Sequence, residues 1–383
     1  MSKKSICLVA TAHYTIEVFL LDQIKKLSEV YNVTVVLKAT DPDFLTRRGI
    51  KAAVIFAPIE RKISLINDVR ALYFLIKFFR DNSFDLVHSV TPKAGLLAML
   101  AALFGDINVR IHMFTGQVWG SQRGLMRWIL KSTDRITALA ATHVLTDSFT
   151  QRIFLINERV ISEKKSSVLA SGSISGVDLE RFKPDDILRK EVREKFGIPI
   201  NELVFLFMAR LTRDKGALVM VEAFSRFVDQ GGEGHLVIVG PDEEKVSQMM
   251  IELLGDSLSR VRFEGYTKCP EKFMAAADVF CLPSYREGFG TVLINAAAVG
   301  IPAIASRIYG SEEAIQENVT GLLIEAGNSL ELAEKMLLLA ENADLRSELG
   351  TKARQRAEDV FSESTVTGAV LEFYSNVLST VHR

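Results

Sequence analysis

A chain of 383 residues, 48% hydrophobic and 24% charged, is long for a single core and suits two α/β domains of ordinary size. The composition excludes a disordered or low-complexity protein, and three scattered cysteines (Cys7, Cys269, Cys281) exclude a disulfide framework or a zinc site. A net charge of −1 argues against a nucleic-acid binder, yet residues 1–185 carry 25 Lys+Arg against 17 Asp+Glu, leaving 21 against 30 in the remainder.

In chain order, the first apolar run, Ile6–Ala10, is too short for a signal peptide and reads as a strand. Further strand-like runs follow at Val33–Leu37, Ala53–Phe56, Leu86–Ser89, Val109–Met113 and His143–Thr146, with amphipathic helices between them. This βα alternation predicts a parallel sheet covered on both faces. The longest apolar stretch, Ala94–Phe104, falls far short of the roughly 20 residues that span a bilayer. A loop over Ala170–Pro184, with Gly172 and Gly176, interrupts the pattern and reads as a linker. The alternation resumes at Leu203–Ala209, Leu236–Val239, Val261–Phe263, Val279–Leu282 and Ala303–Ala305, and a helix over Thr365–Val381 closes the chain. The predicted fold class is α/β: two Rossmann-like domains, 1–172 and 173–364, with parallel sheets facing across a cleft.

Ligands of such sheets bind beyond the carboxyl ends of the strands, which directs attention to the loops there. They hold Thr11, His13 and Tyr14 after the first strand, Lys93 after the fourth, and Thr115, Gly116 and Gln117 after the fifth. In the second domain they hold Arg210 to Lys215, Gly240, and Tyr266 with Thr267, which would frame a nucleobase. His13 reads equally as a plain polar loop residue, and Tyr266 as a ring packed on the sheet end.

The most informative segment is residues 281–300. Val279–Leu282 is a buried strand, Glu287-Gly288-Phe289-Gly290 a turn, and Thr291–Val299 an alanine-rich helix. Helix N-termini attract phosphate through unpaired N–H groups and the dipole, so a diphosphate in front of Gly288, Phe289, Gly290 and Thr291, with Glu287 gripping hydroxyls, fits this order. An ordinary glycine-capped strand-to-helix turn has the same pattern. After the strand 203–209, Arg210 would fork two phosphate oxygens and Lys215 would supply a mobile charge; a solvated loop charge pair is the plainer alternative.

These residues resemble the retaining glycosyltransferases of family 4, which have the GT-B fold. The resemblance runs through Ala209-Arg210-Leu211 with Lys215-Gly216, His235–Gly240, Val261–Tyr266, Ala277-Asp278-Val279, Glu287–Gly290, Gly300–Ala305, Asn318–Gly321, and Gly172 with Gly176–Phe182. Thr91–Leu96 and Phe114–Trp119 look most like enzymes of capsule, O-antigen and lipid-linked oligosaccharide assembly. The resemblance implies transfer of a sugar, with retention, from a nucleotide-sugar donor to a lipid-linked or membrane-bound saccharide. A UDP-linked, N-acetylated or 6-deoxy donor is expected, as is a cytoplasmic protein peripheral to the inner face of the membrane. Glu287, Arg210 and Lys215 would be catalytic, no metal or other cofactor would be needed, and the last helix would cross back onto the first domain.

The chain departs from the family at two places. Asn295 stands where a second Glu usually binds the ribose hydroxyls; an amide can still donate and accept there. Thr115 stands where many relatives have a His near C6 of the sugar, which suggests a donor altered at C6; the nearest imidazole is His112. Asp41-Pro42-Asp43 looks like a metal-binding motif of another glycosyltransferase fold but lacks supporting ligands.

Basic residues share helices with aromatics at Arg70, Tyr73, Phe74, Lys77, Phe78 and Arg80, and at Arg123, Arg127, Trp128, Lys131 and Arg135. This suits contact with an anionic membrane through the first domain, or a solvated face over a core stripe. A non-catalytic nucleotide-sugar-binding scaffold and an epimerase of the same fold stand as rival readings. A nicotinamide dehydrogenase is excluded because Leu293 occupies the place of the third glycine.

Overall fold

The computed structural model describes residues 3–38, 41–60 and 64–380 and divides into two units, Met1–Gly176 with Glu363–Arg383, and Val177–Ser362. The chain leaves the first unit at Gly176 rather than at 172 and returns at Glu363 rather than at 365.

The first unit runs β1 (Ser5–Ala12), α1 (His13–Thr15), a π-helical turn Ile16–Leu20, α2 (Leu21–Val30), β2 (Asn32–Lys38), β3 (Ala52–Phe56) and α3 (Leu65–Asp81). It continues through β4 (Leu86–Val90), α4 (Pro92–Phe104), β5 (Val109–Phe114), α5 (Gly124–Ala140), β6 (His143–Thr146), α6 (Phe149–Asn157) and β7 (Ser166–Val168). The strands form one parallel sheet in the order β3-β2-β1-β4-β5-β6-β7. Alternate residues of β1 serve opposite cores: Ile6, Leu8 and Ala10 pack with Val35 and Leu37, and Cys7 and Val9 with Leu75, Phe79 and Ala98. The closing helix belongs to this unit as α15 (Glu363–Thr380); it packs on α2, and its Tyr374 hydroxyl lies 2.6 Å from His88 Nδ1 on β4.

The second unit begins with α7 (Asp186–Phe196) and runs β8 (Val204–Met208), α8 (Ala217–Asp229), β9 (His235–Val239), α9 (Ser247–Leu254), β10 (Val261–Glu264) and α10 (Pro270–Ala276). Then come β11 (Val279–Leu282), α11 (Thr291–Val299), β12 (Ala303–Ser306), α12 (Ser311–Ala314), β13 (Gly321–Ile324), α13 (Ser329–Glu341) and α14 (Ala343–Phe361). Its parallel sheet has the order β10-β9-β8-β11-β12-β13. Asp278, just before β11, accepts from Arg189, Arg193 and the Val204 amide, each at 2.7 Å, and so fixes α7 to the amino end of the sheet.

Gly95 is required by contact. A Cβ there would lie 2.2 Å from Cε1 of His112, a buried ring whose Nδ1 is 2.9 Å from Ser89 Oγ. Gly95→Ala is expected to cost about 1–3 kcal/mol in denaturant unfolding, as overpacking does; an unchanged midpoint would mean that His112 yields freely. Burial pushes the His88 imidazole down to about 4 and His112 down to about 3. Depressed histidines stay neutral in the fold while the unfolded chain takes up protons below about pH 6.5, so their contribution falls as pH drops from there toward 4. Comparing unfolding of wild type and His88→Asn at pH 7 and pH 4.5 should show the shallower decline in the variant; parallel declines would contradict this.

Candidate functional site

In each sheet the strand order reverses once, and ligands of open α/β sheets bind beyond the carboxyl ends of the strands at such a point. In the second unit the reversal lies between β8 and β11. Lys215, in the loop after β8, donates to both carboxylate oxygens of Glu287, in the loop after β11, at 2.7 and 2.8 Å. The side chains are 20% and 10% exposed, and Ser284 Oγ donates to the same carboxylate at 2.8 Å. Beside them Arg286 donates to Asp214 at 3.1 Å, and the Tyr285 amide donates to the Asp214 carbonyl at 2.8 Å. The backbone demands Gly216: its φ is +73°, and a Cβ would lie 1.9 Å from the Pro283 carbonyl oxygen.

Gly290 (φ 75°) caps α11, whose first turn opens at Thr291. Glu287, Lys215 and this helix mouth therefore lie at one sheet end, as the sequence implied. Three other expected residues take different roles. Arg210 donates to Glu243 at 2.7 Å in an exposed pair, the kind that contributes little and that an anion can displace. Phe289 is buried and sets its ring edge-on to Phe361 at 5.3 Å, so it anchors the turn from beneath and does not face a ligand. Gly240 has a packing reason, since a Cβ would lie 1.8 Å from the Ala209 carbonyl oxygen. Tyr266 is exposed, not packed on the sheet end, and Thr267 Oγ1 accepts from the Cys269 amide. Asn295 is half-buried in the second turn of α11, with no side-chain hydrogen bond among the described residues.

In the first unit the reversal lies between β1 and β4, and there Thr11 Oγ1 and Thr91 Oγ1 are 2.7 Å apart. Thr91 has φ 74°, a strained state for a β-branched residue. Thr11 belongs to β1 and not to a loop; His13 and Tyr14 open α1. The His13 ring meets Phe44 edge-on at 4.2 Å with Nδ1 3.7 Å from Glu17, and Tyr14 is exposed. Lys93 sits in the first turn of α4, paired with Asp68 at 2.5 Å. Thr115 is half-buried and Gly116 has φ 99°. Gln117 is fully buried and accepts from Gln151 at 3.5 Å; Gln151 Oε1 in turn accepts from the Asp147 amide, so Gln117 supports the loop and does not line a surface. His112 lies in the core on β5 and cannot replace the missing imidazole. Asp41 bonds Arg47, and no cluster of three His, Cys, Asp or Glu suited to a metal occurs among the described residues.

The basic pair Arg127 and Lys131 also differs from expectation. Both donate to Glu158, which their bonds, Lys131's first, hold below the usual carboxylate range, and both cations lie over the Trp119 ring at 5.0 and 5.6 Å. They are partly buried and tie α5 to the end of α6. Sequence reading also missed Asp214, Arg286 and Ser284; the visible signal was that Asp214–Lys215 and Arg286–Glu287 repeat an acid-base order with reversed sign.

Comparison with known proteins bears on the family and the fold. Residues 16–172 match the family model Glycosyltransferase Family 4, and residues 189–356 match Glycosyl transferases group 1. The capsular polysaccharide biosynthesis glycosyltransferase CapM of Staphylococcus aureus is 28% identical over 324 residues, 84% of each chain. The UDP-Gal:alpha-D-GlcNAc-diphosphoundecaprenol alpha-1,3-galactosyltransferase of Escherichia coli is 28% identical over 307 residues, 78% of this chain and 77% of that one. The crystal structure of Anabaena HepE with UDP and glucose superposes with a TM-score of 0.80 at 19% identity, covering 97% of this chain and 100% of that one, which establishes the shared fold.

Gly216→Ala combines backbone strain with a carbonyl clash, and it is expected to destabilise the second unit by about 2–4 kcal/mol. A melting temperature equal to wild type would show that the two loops are not fixed to one another.

Proposed function

The chain belongs to the family 4 glycosyltransferases with the GT-B fold, and we propose that it transfers a sugar, with retention at the anomeric carbon, from a UDP-sugar to a lipid-linked saccharide. The enzyme class follows from the family; the donor and acceptor are inferred from the relatives, among them the UDP-Gal enzyme of Escherichia coli acting on a diphosphoundecaprenol substrate. One observation carries the residue assignment: Lys215 and Glu287 are paired at the strand-order reversal beside the N-terminus of α11.

As the bond from the anomeric carbon to the phosphate oxygen breaks, negative charge grows on the diphosphate. Lys215, the first amides of α11, and Arg210 once released from Glu243 would stabilise it, with no metal required. Glu287, relieved of Lys215, would accept from donor-sugar hydroxyls. Asn295 would give one neutral hydrogen bond to a ribose hydroxyl, and Tyr266 with Thr267 would border the base. Thr115, smaller than imidazole and uncharged, is assigned to the C6 side of the donor, where it suits a 6-deoxy sugar. The replacement of a carboxylate by Asn295 favours one second reading, a scaffold that binds nucleotide sugar without turning it over.

Calorimetric titration with UDP, GDP, ADP and dTDP is expected to select UDP; binding of none would favour the scaffold reading. Lys215→Ala should lower turnover on the order of 100-fold, as losing one charge-stabilising donor does, and turnover should survive EDTA. Near-normal turnover of the variant would remove Lys215 from the mechanism.

A further inference from the structure

Lys215 ends a short 3₁₀ turn, Arg213–Lys215, which Gly216 closes with φ 73°. Hydrogen bonds hold this turn from two sides. The Arg213 amide donates to Glu244, in the loop after β9, at 3.0 Å. Asp214 holds the other side twice: its carbonyl accepts from the Tyr285 amide at 2.8 Å, and its carboxylate accepts from Arg286 at 3.1 Å. The Arg286 side chain is 22% exposed, and its Nε is buried without a hydrogen-bond partner. Among the described residues, Asp214 is the carboxylate that balances this guanidinium. A cation covered to this degree does not regain full hydration when its partner is lost.

Two ion pairs therefore join the same two loops, and the proposed reaction treats them differently. Lys215 has to leave Glu287 to reach a diphosphate, which removes one of the two links. Asp214 and Arg286 each precede a member of that pair in sequence, and nothing in the reaction separates them. A pair as exposed as this one adds little to folding, so its use lies in where it acts: on the backbone from which Lys215 extends. We infer that Asp214 and Arg286 are positioning residues for the leaving-group end of the donor. They hold the Lys215 turn against the loop after β11 while Lys215 exchanges carboxylate for phosphate, and neither touches substrate. This rests on the UDP-sugar reading and deepens it. The inference also has a sign that charge alone does not reproduce. Asp214 is an anion beside a site for an anion, so by Coulomb's law its neutralisation tightens the binding of UDP, whereas loss of positioning weakens it.

Full-length protein is titrated with UDP by calorimetry at about 0.01 M salt, where the Debye length is about 30 Å and the Coulomb effect is largest. Asp214→Asn should weaken binding roughly fivefold or more, Arg286→Gln by a similar factor, and the double variant no further than either single, because all three remove one interaction. Unfolding midpoints should match wild type. Equal or tighter binding by Asp214→Asn would overturn the inference. So would losses that multiply in the double variant, since Arg286 would then act on the ligand directly, or losses that follow a lowered midpoint. A second measurement needs no ligand. In Glu287→Ala, which releases Lys215, exchange of the Lys215 and Gly216 amides, bonded to the carbonyls of Thr212 and Arg213 at 3.2 and 2.9 Å, should stay slow. Adding Asp214→Asn should speed it roughly tenfold. Equal exchange with and without Asp214 would overturn the inference whether or not UDP binds. Wild type that fails to bind UDP while exchange responds as expected would count against the donor reading alone.

Discussion

The bond between Lys215 and Glu287 closes across the point where the second sheet reverses its strand order, and the loops at the carboxyl end of that sheet are organised around it. β8 and β11 are parallel neighbours, so the loops that follow them run side by side, and equivalent residues meet in sequence: Asp214 with Arg286, then Lys215 with Glu287. A half-buried ion pair of this kind is a weak source of net stability, but removing one partner strands the other charge. Its value is positional. Gly216 beneath the Pro283 carbonyl, and Gly310, whose Cβ would lie 2.4 Å from the Gly288 carbonyl oxygen, let the backbones come close enough for the pair to form.

The first unit carries the formal excess of basic residues, yet many of them serve the fold. Arg110 donates to the carbonyls of Ala140 and Ile107, Arg152 to those of Ser166 and Glu163, and Lys165 to those of Ala138 and Leu139. With Arg127 and Lys131 committed to Glu158, net charge overstates the attraction this unit exerts on an anionic surface. Of the aromatic residues that share helices with these cations, Tyr73 and Trp128 are exposed, whereas Phe74 and Phe78 are half-buried against the core.

The strands were legible because parallel sheets buried on both faces appear as continuous apolar runs. All eleven expected strands recur within a residue or two of their ends. The two that were missed, Ser166–Val168 and Gly321–Ile324, are edge strands of three and four residues, too short to separate from a turn. Glu287, Lys215 and the α11 mouth were legible as chemistry, since glycines, a carboxylate and a cation at strand ends have few other uses. Their pairing was not, because nothing local links residues 72 positions apart. Phe289 and Gln117 were misjudged for one reason: adjacency to a motif in sequence says nothing about which side of the loop a side chain takes, and both point into the core.

This geometry imposes a condition on the proposed reaction. Glu287 gives both oxygens to Lys215 and one also to Ser284, so it has little capacity left for sugar hydroxyls until Lys215 departs. Lys215, at 20% exposure, would leave a carboxylate only for another anion, because water alone does not repay the separation of a half-buried pair. A diphosphate supplies that anion. Exchange of carboxylate for phosphate at the ammonium, and of ammonium for hydroxyls at the carboxylate, would free the proposed sugar-binding group only when the leaving group is already in place. In the proposed reaction the pair would thus couple recognition of the two halves of the donor, and a sugar without its diphosphate would find Glu287 occupied.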